Sequence, residues 1–150
     1  METVEVTTIR HRPLRRAAQV AAGCLALAAG GLIYIIYRYE GLLMFAWFRR
    51  LGLDGCVAAL RSACGGRAMG GWAVYSLPAG LWLLAYLLVM DAVWAGAGGV
   101  VRKVFLSALP VAAVASELLQ LCGWLRGTFD WLDLAGYGAA VVLYLIIKHR

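Results

Sequence analysis

The sequence predicts an all-α membrane protein with four transmembrane helices and an interfacial or re-entrant helix between the first and the second. Two features of composition support this fold class: 63% of the 150 residues are apolar and only 15% are charged. Soluble proteins average roughly 45–50% apolar and about 25% charged residues. A soluble domain of this size leaves much of its surface in water and could not bury so much apolar area. We therefore predict that the chain is embedded in lipid.

Four long apolar runs give the third observation. The predicted spans are residues 17–37, 71–90, 104–121 and 131–147, within a single domain that covers residues 1–150. At a rise of 1.5 Å per residue, about 20 residues cross the roughly 30 Å hydrocarbon core. The runs are continuous, whereas barrel strands alternate polar and apolar residues, so helices are predicted.

Small and helix-breaking residues within the spans predict how the helices bend and pack. Ser76 and Pro78 predict a kink in the second span, with Ser76 bonding the backbone groups that the proline frees, and Pro110 predicts a kink in the third. In the fourth span, Ala135-Gly136 and Ala139-Ala140 have the four-residue spacing of small residues that is typical of a helix-packing face.

The segment from Arg38 to Arg67 is neither a span nor an ordinary polar loop, because apolar and charged residues are mixed along it. This mixture predicts a helix that lies in the membrane interface, with Trp47 at the depth of the head groups. A re-entrant hairpin is the alternative.

Basic residues flanking the spans predict the orientation. The first group comprises Arg10, Arg12, Arg15, Arg16, Arg102, Lys103, Lys148 and Arg150; the second comprises Arg38, Arg49, Arg50, Arg61, Arg67 and Arg126. Four spans place the two groups on opposite sides. The dense cluster before the first span predicts that the first group, with both termini, is cytoplasmic.

The net charge of +6 points to membrane lipids as partners rather than to nucleic acid, because the basic residues lie mostly at the ends of apolar runs. A second copy of the chain or another membrane protein is a further possible partner. No cofactor or metal is predicted, since the four cysteines and two histidines show no metal-ligand spacing. Whether Cys56 and Cys64 form a disulfide is left open.

Polar residues concentrate at one helix-loop-helix corner. Glu117 and Gln120 share a face of the third span, Arg126 lies in the loop that follows, and Asp130 and Asp133 begin the fourth span. A buried carboxylate in a membrane helix must be paired or protonated. Three hypotheses are open: Asp130 caps the fourth helix, Glu117 pairs with Arg126 as a structural ion pair, or the cluster forms a ligand site.

This corner resembles the VanZ-like family of small bacterial integral membrane proteins. The resemblance covers the stretch from Ser116 to Ala140 and includes Glu117, Gln120, Arg126, Asp130 and Asp133; the family's asparagine position is Tyr137 here, and a following glycine position is Ala140. One family member is associated with glycopeptide resistance. The resemblance therefore implies a cell-envelope protein of the bacterial plasma (inner) membrane.

The resulting functional hypothesis is a non-enzymatic protein that binds a lipid head group, an envelope precursor or a partner helix at the polar corner. No catalytic residue is predicted. One alternative is a small proton- or ion-coupled transporter that uses Glu117. The other is a metal-dependent membrane phosphate hydrolase, in which the three carboxylates hold Mg²⁺.

Overall fold

The computed structural model describes residues 3–64 and 69–149, with side chains described from residue 15 onward. These residues form seven α-helices and one short 3₁₀ helix, and they contain no β-strand. In chain order the elements are α1 (Thr3–Tyr37), α2 (Leu43–Arg50), α3 (Asp54–Cys64), α4 (Gly71–Tyr75), α5 (Leu77–Val93), η1 (Trp94–Gly96), α6 (Gly99–Leu121) and α7 (Trp131–His149).

Four helical segments are long and apolar enough to cross a bilayer: Arg15–Tyr37, Gly71–Val93, Gly99–Leu121 and Trp131–His149. They confirm the four predicted spans and indicate a multi-pass membrane protein. The second segment extends three residues beyond the predicted span, to Val93, and the third begins five residues earlier than predicted, at Gly99. The prediction stopped at the first charged residue, but a helical backbone continues through charged positions when long side chains reach toward the polar surface.

The second span is broken at Ser76, where α4 ends and α5 begins. This break confirms the predicted local distortion. Its cause is Pro78, which has no N–H to donate and whose ring crowds the preceding turn. The predicted role of Ser76 is wrong: its buried hydroxyl has no hydrogen-bond partner among the described residues. In the third span, α6 runs unbroken through Pro110.

The segment between the first two spans contains two short helices, α2 and α3, joined at Leu51–Leu53. Gly52 makes the turn with a φ of 71°, a conformation that glycine adopts at little cost. Its N–H donates to Arg49 O, and the Leu53 N–H donates to Phe48 O, which closes α2 with a Schellman motif. We call α2 and α3 the helical hairpin.

Arg61 docks the helical hairpin onto the end of α1. Its Nε donates to Ile35 O at 2.8 Å, and its Nη2 donates to Arg38 O. Its Nη1 forms an ion pair of 3.0 Å with Glu40, and its guanidinium lies over the Phe45 ring. The last carbonyls of a helix have no partner within the helix, so Arg61 stabilises the C-terminus of α1 by satisfying them.

Both cysteines of the helical hairpin are free, as are the other two in the chain. Cys56 and Cys64 stand at opposite ends of α3, and eight residues of α-helix advance about 12 Å. A disulfide needs Cα atoms within roughly 7 Å. The pairing that the sequence left open is therefore excluded in this fold.

The core of the bundle is built around α5, the most buried of the spanning helices. It packs along α1 and α7 and contacts α6 less extensively. Leu83 and Leu88 are the largest fully buried side chains. The backbones of α5 and α7 approach closely, because a Cβ added to Gly80 would lie 3.0 Å from the Gly136 carbonyl oxygen. The predicted packing face of α7 is thus confirmed at Gly136 and at the buried Ala140, whereas Ala135 and Ala139 are exposed.

The two ends of the bundle differ in the residues they bring together. At the terminal end, α1 begins and α7 ends, and Arg15 Nη2 donates to Lys148 O at 2.9 Å. At the hairpin end lie the helical hairpin and the α6–α7 loop. The basic residues follow the predicted grouping: Arg15, Arg102 and Lys148 share the terminal end, and Arg38 and Arg61 the hairpin end. Arg10, Arg12, Arg67 and Arg150 lie outside the described side chains.

Candidate functional site

The polar corner begins where α6 stops, and its geometry depends on Gly123. This residue has a φ of 73° and follows the C-cap Cys122. Its N–H donates to Gln120 O at 3.0 Å, and the Trp124 N–H donates to Leu119 O at 2.9 Å. These bonds form a Schellman motif, which turns the chain sharply toward α7.

Gln120 is half-buried and its side chain lies against the loop backbone. A Cβ at position 127 would lie 2.7 Å from Gln120 Cδ, and Gly127 has a φ of 149°. The backbone conformation therefore favours glycine at position 127, and a larger residue would also have to displace the end of the Gln120 side chain. Gln120 acts here as a packing surface for the loop, and no hydrogen bond of its side chain is found among the described residues.

Asp130 is the N-cap of α7, as one of the hypotheses predicted. Its Oδ1 accepts the N–H of Leu132 at 2.9 Å, which satisfies one of the free backbone donors of the first turn. Its own N–H donates to Glu117 Oε2 at 3.3 Å. In a capping box, a carboxylate of the same helix accepts this N–H. Here a carboxylate from α6 takes that position and ties α6 to the start of α7.

Glu117 and Asp133 are the two carboxylates at the inside of the corner. Glu117 is 4% exposed and is the one buried residue of α6. Asp133 is half-buried, and its buried Oδ1 has no hydrogen-bond partner among the described residues. Tyr137 lies one turn further along α7, near both carboxylates. The corner thus holds acceptor oxygens with unused hydrogen-bonding capacity, which is costly in a buried position.

Arg126 does not form the predicted ion pair with Glu117. Its side chain is exposed, and the described residues contain only two ion pairs, Arg61–Glu40 and Arg102–Asp91. Arg126 lies on the exposed loop, whereas Glu117 accepts the Asp130 N–H at the start of α7. The structure therefore brings together Glu117, Asp130, Asp133 and Tyr137, places Gln120 beside them, and leaves Arg126 free at the surface.

The carboxylates of the corner are not arranged as a metal site. Among the described residues, no three His, Cys, Asp or Glu side chains are placed to hold one ion. The Asp130 carboxylate is turned to the backbone of its own helix as a cap. The arrangement in which Glu117, Asp130 and Asp133 together hold Mg²⁺ is therefore wrong for this fold.

A second polar cluster lies at the terminal end and was not predicted. Asp91 is 4% exposed and accepts hydrogen bonds from three other spanning helices. Its oxygens accept Gln19 Nε2 of α1 at 3.1 Å, Arg102 Nε of α6 at 3.1 Å and the Tyr144 hydroxyl of α7 at 2.9 Å. One carboxylate therefore connects all four spans, and its charge is balanced by Arg102.

Comparison of the chain with known protein families, with curated proteins and with solved structures finds no match. The fold and its two polar clusters define the class: an all-helical chain with four helices able to span a membrane. In the cluster at the terminal end, the Asp91 carboxylate has hydrogen-bond donors and a counter-ion. At the corner, the Asp133 Oδ1 has no hydrogen-bond partner among the described residues.

Proposed function

We propose that this chain is a VanZ-like protein of the bacterial plasma membrane and that its polar corner binds a lipid head group, an envelope precursor or a partner helix without catalysing a reaction. In this proposal the hairpin end faces outward, both termini are cytoplasmic, and the helical hairpin lies in the membrane interface. Leu43, Trp47 and Leu51 support the last point, because they form an exposed apolar stripe along α2.

The proposal rests on buried carboxylates at the corner that have too few hydrogen-bond donors and no paired cation among the described residues. Glu117 and the Asp133 Oδ1 are buried, and no cation is paired with either of them among the described residues. Glu117 has one donor, the Asp130 N–H, and the Asp133 Oδ1 has none, so neither charge is compensated, which is unfavourable in a low-dielectric environment. A ligand that donates hydrogen bonds would satisfy them.

The exposed Arg126 indicates a second ligand group. It lies on the loop between the two helices that hold the carboxylates, and its guanidinium is free to bind phosphate in a bidentate manner. The fitting chemistry is a phosphate joined to a hydroxyl- or ammonium-bearing group. Phosphatidylglycerol, phosphatidylethanolamine and phosphate-linked glycan lipids all share this combination, and phosphatidylcholine has the phosphate without a donor.

The test is a comparison of lipids that differ in this donor. The full chain is purified in a neutral detergent, and binding of phosphatidylethanolamine and phosphatidylglycerol is compared with that of phosphatidylcholine of the same acyl chains by native mass spectrometry. We expect the wild type to prefer the donor-bearing lipids, and Glu117→Gln and Asp133→Asn to lose this preference. Arg126→Gln should weaken binding of all three lipids.

The matched control is Asp54→Asn, which neutralises an exposed carboxylate in the helical hairpin. It should leave the lipid preference unchanged. Equal preference in the wild type, Glu117→Gln and Asp133→Asn would remove the corner as a ligand site.

A further inference from the structure

Arg38 is held between two aromatic rings at the hairpin end. It is the first residue after α1, and its N–H continues the helical pattern by donating to Tyr34 O at 3.1 Å. Its guanidinium carbon lies 5.1 Å from the centroid of the Tyr34 ring and 4.9 Å from that of Tyr75. One ring comes from α1 and the other from α4, so the cation is fixed where two spans meet.

This guanidinium has no anionic partner. No side-chain hydrogen bond or ion pair of Arg38 is found within residues 15–64 and 69–149, and its buried Nε is without a partner there. The nearby acid, Glu40, is already paired with Arg61. The carbonyls at the end of α1 are also occupied, because Arg61 donates to Ile35 O and to Arg38 O. Arg38 is thus not needed to cap its own helix.

The depth of Arg38 matches that of lipid phosphate groups. The stretch of α1 without charged residues runs from Ala17 to Tyr37. These residues extend about 32 Å at 1.5 Å per residue, close to the roughly 30 Å hydrocarbon core. A residue immediately beyond its end lies in the head-group region, and the exposed Trp72 and Tyr75 are typical of the aromatic belt at that level.

We propose that Arg38, held between Tyr34 and Tyr75, binds the phosphate group of a phospholipid at the hairpin end of the bundle. A planar guanidinium fixed by stacking loses little conformational freedom on binding and matches two phosphate oxygens at once. This site goes beyond the proposed function, because it uses none of the residues of the polar corner and lies between α1 and α4 rather than between α6 and α7.

The test separates this site from the corner by working in an Arg126→Gln background, where the phosphate contact proposed for the corner is absent. The full chain is kept in a neutral maltoside detergent. Its apparent affinity is measured from the rise in melting temperature as lipid is added. Phosphatidylglycerol is compared with a phosphate-free glycolipid of the same acyl chains, and inorganic phosphate is added as a competitor.

We expect phosphatidylglycerol to bind about tenfold more tightly than the glycolipid, the effect of one charge-assisted contact. Arg38→Gln should abolish this ratio, whereas Arg50→Gln, which removes an exposed arginine of α2, should keep it. If inorganic phosphate competes with the lipid when Arg38 is present but not in Arg38→Gln, the site recognises the phosphate group alone. If the lipid binds and inorganic phosphate does not compete, the site recognises the whole phospholipid. Both outcomes support the site.

An unchanged ratio in Arg38→Gln would overturn the proposal, even if that variant melts at a lower temperature, because a purely structural stack changes stability and not the preference for phosphate. If Arg38→Gln does not fold, Arg38→Lys is the second variant. It keeps the charge without the planar fork, so the ratio should fall about threefold or more. A full ratio in Arg38→Lys would then contradict bidentate binding.

Discussion

The carboxylate of Asp91 accepts the hydroxyl of Tyr144 at 2.9 Å, which links the end of the second span to the end of the fourth. The same carboxylate binds Gln19 and Arg102, so the terminal end of the bundle depends on one buried anion. Removing one partner of such a network leaves the others buried and unsatisfied, which costs more than the bond itself contributes.

Asp91→Ala should therefore be the most destabilising single change at the terminal end. We expect a loss of about 2–3 kcal/mol in the free energy of unfolding, because Arg102 loses its counter-ion. Tyr144→Phe removes a single hydrogen bond and should cost about 1 kcal/mol or less. Thermal unfolding in detergent measures both variants. An Asp91→Ala protein as stable as Tyr144→Phe would show that the carboxylate does not connect the helices.

Close backbone contact between α5 and α7 predicts a second pair of variants. A Cβ on Gly80 would lie 3.0 Å from Gly136 O, so Gly80→Leu should push the two helices apart and cost about 1–3 kcal/mol. Gly138→Leu is the matched control, because nothing lies within 4 Å of a Cβ built there. Melting temperatures in detergent should separate the two. Equal losses would contradict the packing at Gly80.

The N-cap at Asp130 predicts a local effect at the corner. Asp130→Ala removes the acceptor for the Leu132 N–H and should destabilise the start of α7 by about 1 kcal/mol. Asp130→Asn keeps a good capping side chain and should behave like the wild type. Hydrogen exchange of residues 131–134 is the measurement. Faster exchange in both variants alike would mean that the charge, rather than the cap, matters.

Arg61 predicts how the helical hairpin is held. Arg61→Gln removes the donors to Ile35 O and Arg38 O and the ion pair with Glu40, so α2 and α3 should detach from α1. Limited proteolysis should then cut between residues 38 and 64 several times faster. Arg50→Gln, an exposed arginine at the end of α2, should leave the cleavage rate unchanged. Equal rates in both variants would exclude the docking role of Arg61.

Hydropathy was enough to predict the four spans, because lipid requires long continuous apolar helices. The positions of their ends were less predictable. The predicted second span stopped at Met90 and so left out Asp91, although α5 continues to Val93. The available signal was an isolated carboxylate at the end of an apolar run, which in a membrane helix marks a buried interaction.

The corner was predictable as a group of residues and only partly as a geometry. Asp130 before an apolar run has the pattern of an N-cap, and the structure confirms it. The bond from the Asp130 N–H to Glu117 depends on the turn at Gly123 and on the packing of α6 against α7, which sequence spacing does not specify. For the same reason the Glu117–Arg126 pair was wrong: proximity along the chain did not determine which way the loop side chain points.

If the four helices cross the membrane, the hairpin end and the terminal end lie on opposite faces of it. Single cysteines at positions 126 and 148, in a chain whose four native cysteines are replaced, test it with a membrane-impermeant maleimide. We predict that the cysteine at 126 is labelled in intact cells and that the cysteine at 148 is labelled only after permeabilisation. Labelling of both positions from the same side would contradict the four-span account.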